Sequence, residues 1–265
     1  GLSLINGTFV MSALGSLALL RAEKFCTLAD IAAAMTLEVT MGSVKPAMEK
    51  IYKVLRHPGH GKTAANIRKL TKGSRIITSH KHCNRVQDAY SLRCAPQVHG
   101  AVRDALAYCR NTLETEINSS TDNPLMFEKD VISAGNFHGQ PLAISLDTLG
   151  IAVTDLGNLS ERRIDRLMNS ALSGLPAFLA PDPGLNSGYM MAHYLAAAVT
   201  LENQGLAAPG SILSTPVSAN KEDYISNGMW SARKGWRIVE NAERILAVEL
   251  LAGAQALDFI EGLRP

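Results

Sequence analysis

Gln87, Tyr90 and Arg93 stand three residues apart in the polar stretch QDAYSLR, which ends just before a helix-forming run. In helical turns residues at that spacing project to one side. Arg offers a planar fork of donors that matches a carboxylate, and Tyr can donate, accept or transfer a proton. A solvated loop carrying a surface arginine has the same spacing. Phe137, one of six phenylalanines, sits in GNFHGQP among small and polar residues, where it either faces a ligand or plugs the core. Glu222 and Asp223, in SANKEDY, precede the last long apolar pattern. Their charges suit a helix N-terminus, or one carboxylate reaches into a site. His57 with His60, and His80 with His82, have ligand chemistry, but no carboxylate adjoins either pair and the cysteines match no zinc spacing, so no metal is expected.

Long helices must position these residues. Val98, Val102, Leu106, Cys109, Leu113 and Ile117 recur in steps of three or four after Pro96, a residue at home in a first helical turn. From Pro141 to about Ser170 the apolar residues spread all round, as in a helix buried among others, although Asp147 and Asp155 weigh against a membrane span. Further helices are expected near 8–23, 28–38, 187–206 and 231–262. HPGHG (57–61) reads as a turn, and 72–96, 118–140, 173–186 and 207–223 as long irregular stretches of the kind that carry function. The expected fold is mostly α, a bundle of long antiparallel central helices with long functional loops, forming a single helical unit over 1–265.

Composition narrows the class. Hydrophobic residues make up 46% and charged residues 19% of the 265, which excludes a disordered chain. The net charge of +2 argues against a dedicated nucleic-acid binder. The apolar run Val10–Leu20 is too short to span a membrane and has no basic start before it. Cys26, Cys83, Cys94 and Cys109 form no zinc pattern and read as reduced thiols, so a cytoplasmic location is expected. The chain opens without an initiator Met, as a piece of something longer would.

Taken together and in order, GLSLINGT (1–8), QDAYSLRCAPQVHG (87–100), SSTDNPL (119–125), GNFHGQP (135–141), LSERR (159–163), GLNSGYM (184–190) and SANKED (218–223) resemble the aromatic amino acid ammonia-lyase family, its histidine-acting members most of all. The resemblance covers essentially the whole chain. It implies elimination of ammonia from an aromatic L-amino acid, with L-histidine giving urocanate, in a homotetramer whose sites combine residues of several subunits. It also implies an electrophilic group, 4-methylidene-imidazole-5-one (MIO), formed from an internal Ala-Ser-Gly. On this resemblance Arg93 holds the substrate carboxylate and Tyr90 lies near the electrophile and the amino group. Gln87 orders that region, Asn6 hydrogen-bonds the electrophile, Phe137 packs near electrophile and substrate, and Glu222 faces the substrate imidazole.

The departures from the family pattern are specific. No Ala-Ser-Gly occurs in these residues. In the family that tripeptide and a catalytic Tyr precede the LINGT segment, so the chain is expected to be the middle portion of a longer enzyme. Tyr224 stands where histidine-acting members carry His, and Lys221 where they carry Gln. Phenylalanine- or tyrosine-acting lyases and aminomutases of the same family, and a non-catalytic helical scaffold, are the alternatives. Enzymes of the fumarase and aspartase type share the broad architecture, but GSILSTPVSAN (210–220) is a loose echo of their signature loop, lacking its Met and Lys.

Overall fold

The structure, a computed structural model, describes residues 4–263 and 265, so the first three residues of the GLSLINGT motif and Arg264 lie outside the described residues. It is mostly α, 66% helix and 3% strand. In chain order the helices are α1 (Phe9–Val39), α2 (Glu49–Tyr52), α3 (Pro58–Leu70), α4 (Arg75–Ser79), α5 (Tyr90–Arg93), α6 (Ala95–Ile117), α7 (Gln140–Met168), α8 (Ser170–Ser173), α9 (Met190–Leu206) and α10 (Gly228–Asp258). A two-stranded antiparallel hairpin, β1 (Leu125–Met126) and β2 (Val131–Ile132), interrupts the loop before α7.

Two expectations about elements are corrected. The helices expected at 8–23 and 28–38 are one, because nothing between them breaks a helix. Phe25, Cys26 and Ala29 are buried, so packing outweighs the weak helix preference of Thr27. HPGHG is the start of α3 rather than a turn. His57 is its N-cap and Pro58 occupies the first turn, where the missing N–H is no loss. Gln140 is the first residue of α7, and its side-chain amide donates to the Ser211 carbonyl at 3.1 Å.

The chain divides into two compact units. The first comprises residues 1–23, 105–153 and 204–240, and the second 24–104, 154–203 and 241–265. In the first unit α6 runs antiparallel to α1: Gly15 lies against Leu113, and Arg110 pairs with Glu23 at 2.5 Å. There α7 and α10 run in the same direction, with Lys234 on Asp147 at 2.6 Å and Ile238 against Gly150. Burial alone would raise the Asp147 carboxyl, but the Lys234 ammonium and the Ser211 N–H hold it below the usual range. α7 is long and apolar enough to cross a membrane by length and composition. Its Leu142, Leu146, Leu149 and Leu156 are nevertheless fully buried inside the protein.

In the second unit α7 and α10 again run side by side, with Gly157 near Ile245 and Arg163 on Glu249. A polar network fills this core. Arg163 donates to both Glu249 oxygens at 2.5 and 2.9 Å, and Ser160 and Thr36 donate to the same carboxylate. His99 faces Arg163 at 3.3 Å through Nε2 and Asp30 at 2.8 Å through Nδ1. Burial pushes the His99 pKa down, so the ring is neutral at pH 7, with Nδ1–H donating to Asp30 and Nε2 accepting from Arg163. Arg103 completes the charge balance on Asp30 at 2.6 Å. LSERR therefore supplies the core: Ser160 and Arg163 bind Glu249, while Arg162 pairs with Glu161 at 2.5 Å.

Glu38, 5% exposed near the end of α1, is a buried carboxyl of another kind. Burial pushes its pKa up, against a hydrogen bond from Ser74 that favours ionisation. A raised folded pKa contributes stability that is present below the ordinary value of about 4.3 and is lost as pH rises through the folded value. Glu38→Gln should thus stabilise the protein at pH 7.5 by roughly 1 kcal/mol, the order of the desolvation penalty on the charged carboxylate that the uncharged amide avoids. The gain should vanish near pH 4 when denaturation midpoints are compared; an equal shift at both pH values would contradict this account.

Candidate active site

The second unit carries Gln87, Tyr90 and Arg93. The segment 80–89 is tied to the end of α1. The Arg85 guanidinium donates to the Thr40 carbonyl at 2.8 Å, and the Ser43 N–H donates to Asp88 at 2.7 Å. These ties set α5, a single turn of helix. Tyr90 begins it and Arg93 ends it, with the guanidinium 4.8 Å from the Tyr90 ring centroid. That distance is within cation–π range, so the ring supports the guanidinium. Gln87 lies outside the helix, so the three residues do not form one helical face. Gln87 and Arg93 nevertheless line one cavity of about 500 Å³, shared with Lys45, Lys81 and Arg85, whereas Tyr90 is 69% exposed beside it. Among the charged residues of its wall cations outnumber anions, Lys45, Lys81, Arg85 and Arg93 against Asp88, which pairs with Arg85 at 3.4 Å. Such a wall attracts a carboxylate. Among the described residues Arg93 itself makes no ion pair.

The first unit carries Asn6, Phe137 and Glu222, joined through their loops. The Asn6 amide donates to Asp122 at 2.6 Å. Gly7 has φ +65°, and a Cβ there would meet the Thr121 carbonyl at 2.4 Å, so only glycine lets the INGT turn dock on SSTDNPL. Asn136 then donates to the Ser120 carbonyl at 3.0 Å, which holds the loop with Phe137, 42% exposed. His138 Nε2 donates to the Tyr224 carbonyl at 3.2 Å, and the two rings stack at 5.9 Å. Tyr224 is thus built into the loop contact that leads to Glu222.

Glu222 is not where a helix dipole would want it. α10 begins at Gly228, with no acidic residue in its first turn. Glu222 instead pairs through its backbone with Val217, and its side chain is exposed. Between them Ser218, Ala219 and Asn220 all have positive φ, 52°, 52° and 64°. Three consecutive non-glycine residues in the left-handed region are strained, and such strain concentrates at functional sites. The dipole explanation of Glu222 is therefore overturned, and a carboxylate presented on a strained loop remains.

His57 and His60 are near a carboxylate after all: Asp104, brought in by α6. The spacing along the chain gave no hint of it, because 47 residues separate Asp104 from His57. Burial pushes the Cys109 thiol up to about 11, so it holds its proton and donates to the Ser145 carbonyl at 3.1 Å rather than acting as a nucleophile.

The family model for aromatic amino acid lyases matches residues 1–264. The chain belongs to this family. A histidine ammonia-lyase of Anaeromyxobacter dehalogenans is 51% identical over 269 residues, covering 100% of this chain and 53% of the relative. The crystal structure of histidine ammonia-lyase from Trypanosoma cruzi superposes with a TM-score of 0.90 at 46% identity, over 100% of this chain and 50% of that one. The tyrosine aminomutase from Streptomyces globisporus gives a TM-score of 0.91 at 43% identity, over 100% of this chain and 55% of that one. The chain thus spans about half the length of the curated relatives it matches. In this chain the residues singled out by sequence fall into two groups, one in each unit.

Proposed function

We propose that the protein carrying this chain eliminates ammonia from an aromatic L-amino acid, L-histidine to urocanate. The observation that carries the reading is Arg93: its guanidinium sits over the Tyr90 ring, at a cavity that Lys45, Lys81 and Arg85 also line, and it makes no ion pair among the described residues. A carboxylate is the natural partner of that fork, and the amino end of the substrate then lies toward the Tyr90 hydroxyl, which exchanges a proton with it. Glu222, exposed on its strained loop, accepts a hydrogen bond from an imidazole N–H, which a phenyl ring cannot give. Relatives named histidine ammonia-lyase at about 50% identity support this choice of substrate. Tyr224, stacked on His138, and the aminomutase likeness favour a second reading, an amine shift on tyrosine.

The donor chemistry fits the MIO group that the family implies. The Asn6 amide is a donor, already set on a carboxylate oxygen, and Tyr90 offers an exposed hydroxyl. These residues would hold the group without forming it, since Ala-Ser-Gly is not among the 265 residues. When bound, the group supplies an electrophile for the substrate amine.

A homotetramer is part of the proposal. Val10, Leu17 and Leu20 on α1 are 49%, 54% and 56% exposed, and Ile144 and Ile151 on α7 are 46% and 49% exposed. Apolar residues repeated at helical spacing are suited to cover by a second copy. Cys26, Cys83, Cys94 and Cys109 form no disulfide among the described residues, which is consistent with a cytoplasmic location, and residues 1–265 are read as one helical portion of the enzyme. The test is an assay of the full protein with histidine, tyrosine and phenylalanine, following the unsaturated acid by absorbance and the β-amino acid by chromatography, with mass measured by light scattering. Urocanate from a tetramer is expected, with Glu222→Gln losing preference for histidine. A β-amino acid product favours the second reading, and an inert monomer overturns both.

A further inference from the structure

His57, His60 and Asp104 lie in the second unit, and none of them lines the cavity of Gln87 and Arg93. One ligating atom from each falls within 4.8 Å of the others. His57 and His60 project from the same side at the start of α3, their ring centroids 4.7 Å apart. Asp104 comes from α6. Two glycines bring the helices together. A Cβ on Gly59 would sit 2.1 Å from the Gly100 carbonyl oxygen, and one on Gly100 would sit 2.3 Å from the His60 ring. Asp104 lies one turn beyond Gly100, so the same close approach delivers its carboxylate to the histidines.

Two further observations separate this cluster from a chance meeting of side chains. His60 is only 8% exposed, yet its Nδ1 has no hydrogen-bond partner. Buried polar atoms are normally satisfied, and an orphan signals a missing partner. Asp104 Oδ1 accepts the Gly59 N–H at 2.9 Å, which orients the carboxylate and leaves its other oxygen for a ligand.

We propose that His57, His60 and Asp104 bind a borderline divalent cation, zinc being the type case, which ties α3 to α6. Two imidazoles and one carboxylate are a known donor set for such ions, with water completing the shell. Metal–nitrogen distances of about 2.0–2.1 Å put tetrahedral ligands roughly 3.3 Å apart. Exposed His57 is free to rotate and close the remaining gap. The positive end of the α3 dipole opposes the cation, while the Asp104 charge favours it, so binding should be moderate rather than tight.

The test is zinc retained per chain after chelator treatment and equilibrium dialysis of the full protein at pH 7.5 against low-micromolar zinc. The visible spectrum of the cobalt-loaded protein reports geometry. One zinc per chain and a tetrahedral cobalt spectrum are expected. His57→Ala is the main variant, because His57 is exposed and makes no side-chain cap bond, so the fold should survive. Loss of an outer-shell partner alone weakens metal binding by roughly 10–100-fold, so loss of this ligand should cost at least that. Asp104→Asn should act in the same direction. His82→Ala and Cys83→Ser, both on the exposed segment before α5, should keep the zinc. Absence of binding, or binding that survives His57→Ala and is lost in the other pair, overturns the site.

Discussion

Arg163→Ala should destabilise the protein by about 3–5 kcal/mol, the usual result of removing one partner from a buried ion pair. Both side chains, Arg163 and Glu249, are 0% exposed, and the pair is bidentate. Without the guanidinium, the Glu249 carboxylate keeps the hydroxyls of Thr36 and Ser160 but no positive charge. His99 also loses the donor to its Nε2. Glu249→Ala should cost a comparable amount, by stranding the arginine. The double variant Arg163→Ala with Glu249→Ala should cost clearly less than the two single changes together, because no uncompensated charge remains. Urea denaturation of the four proteins measures the cycle. Single variants within about 1 kcal/mol of the parent would mean that the pair is not desolvated as its burial implies.

That network also marks the boundary of what a linear sequence discloses. The stripe Val98 to Ile117 announces α6 because its period is local. The pairing of Arg163 with Glu249 spans 86 residues, and no local period connects them. LSERR was legible as a motif, but its role in the core was not, since a motif does not say which way its side chains turn. α3 was missed for a different reason. Pro and Gly at 58–61 carry the local chemistry of a turn, and the close packing of Gly59 on Gly100 overrides it. Tyr90 and Arg93 were brought together as their spacing suggested, whereas Gln87 reached the same cavity from the loop. The position of Glu222 depended on three residues of positive φ, which a string of Ser, Ala and Asn does not announce.

Arg93→Ala should lower kcat/KM of the full enzyme for its amino acid by about 10- to 150-fold, since a hydrogen bond to a charged group contributes roughly 1.5–3 kcal/mol. The loss should fall mainly on KM if the carboxylate is held equally in ground and transition states, and on kcat as well if the fork also sets the approach of the amine. Arg93→Lys separates charge from geometry. It keeps the cation beside Lys45, Lys81 and Arg85 but loses the planar fork that lies on Tyr90, so recovery should be partial. Those neighbouring cations are the reason the alanine variant should not be completely dead. Tyr90→Phe removes the opposite element: the ring that supports Arg93 remains, and the hydroxyl goes. On the proposed mechanism its loss should fall on kcat, by roughly 10²–10⁴-fold, the ordinary contribution of a proton-transfer group. If Tyr90 only props the arginine, Tyr90→Phe should be nearly silent and Tyr90→Ala should copy Arg93→Ala. Near-normal turnover in Arg93→Ala would remove the carboxylate clamp from this cavity, and with it the main support for reading this face of the second unit as part of a lyase site.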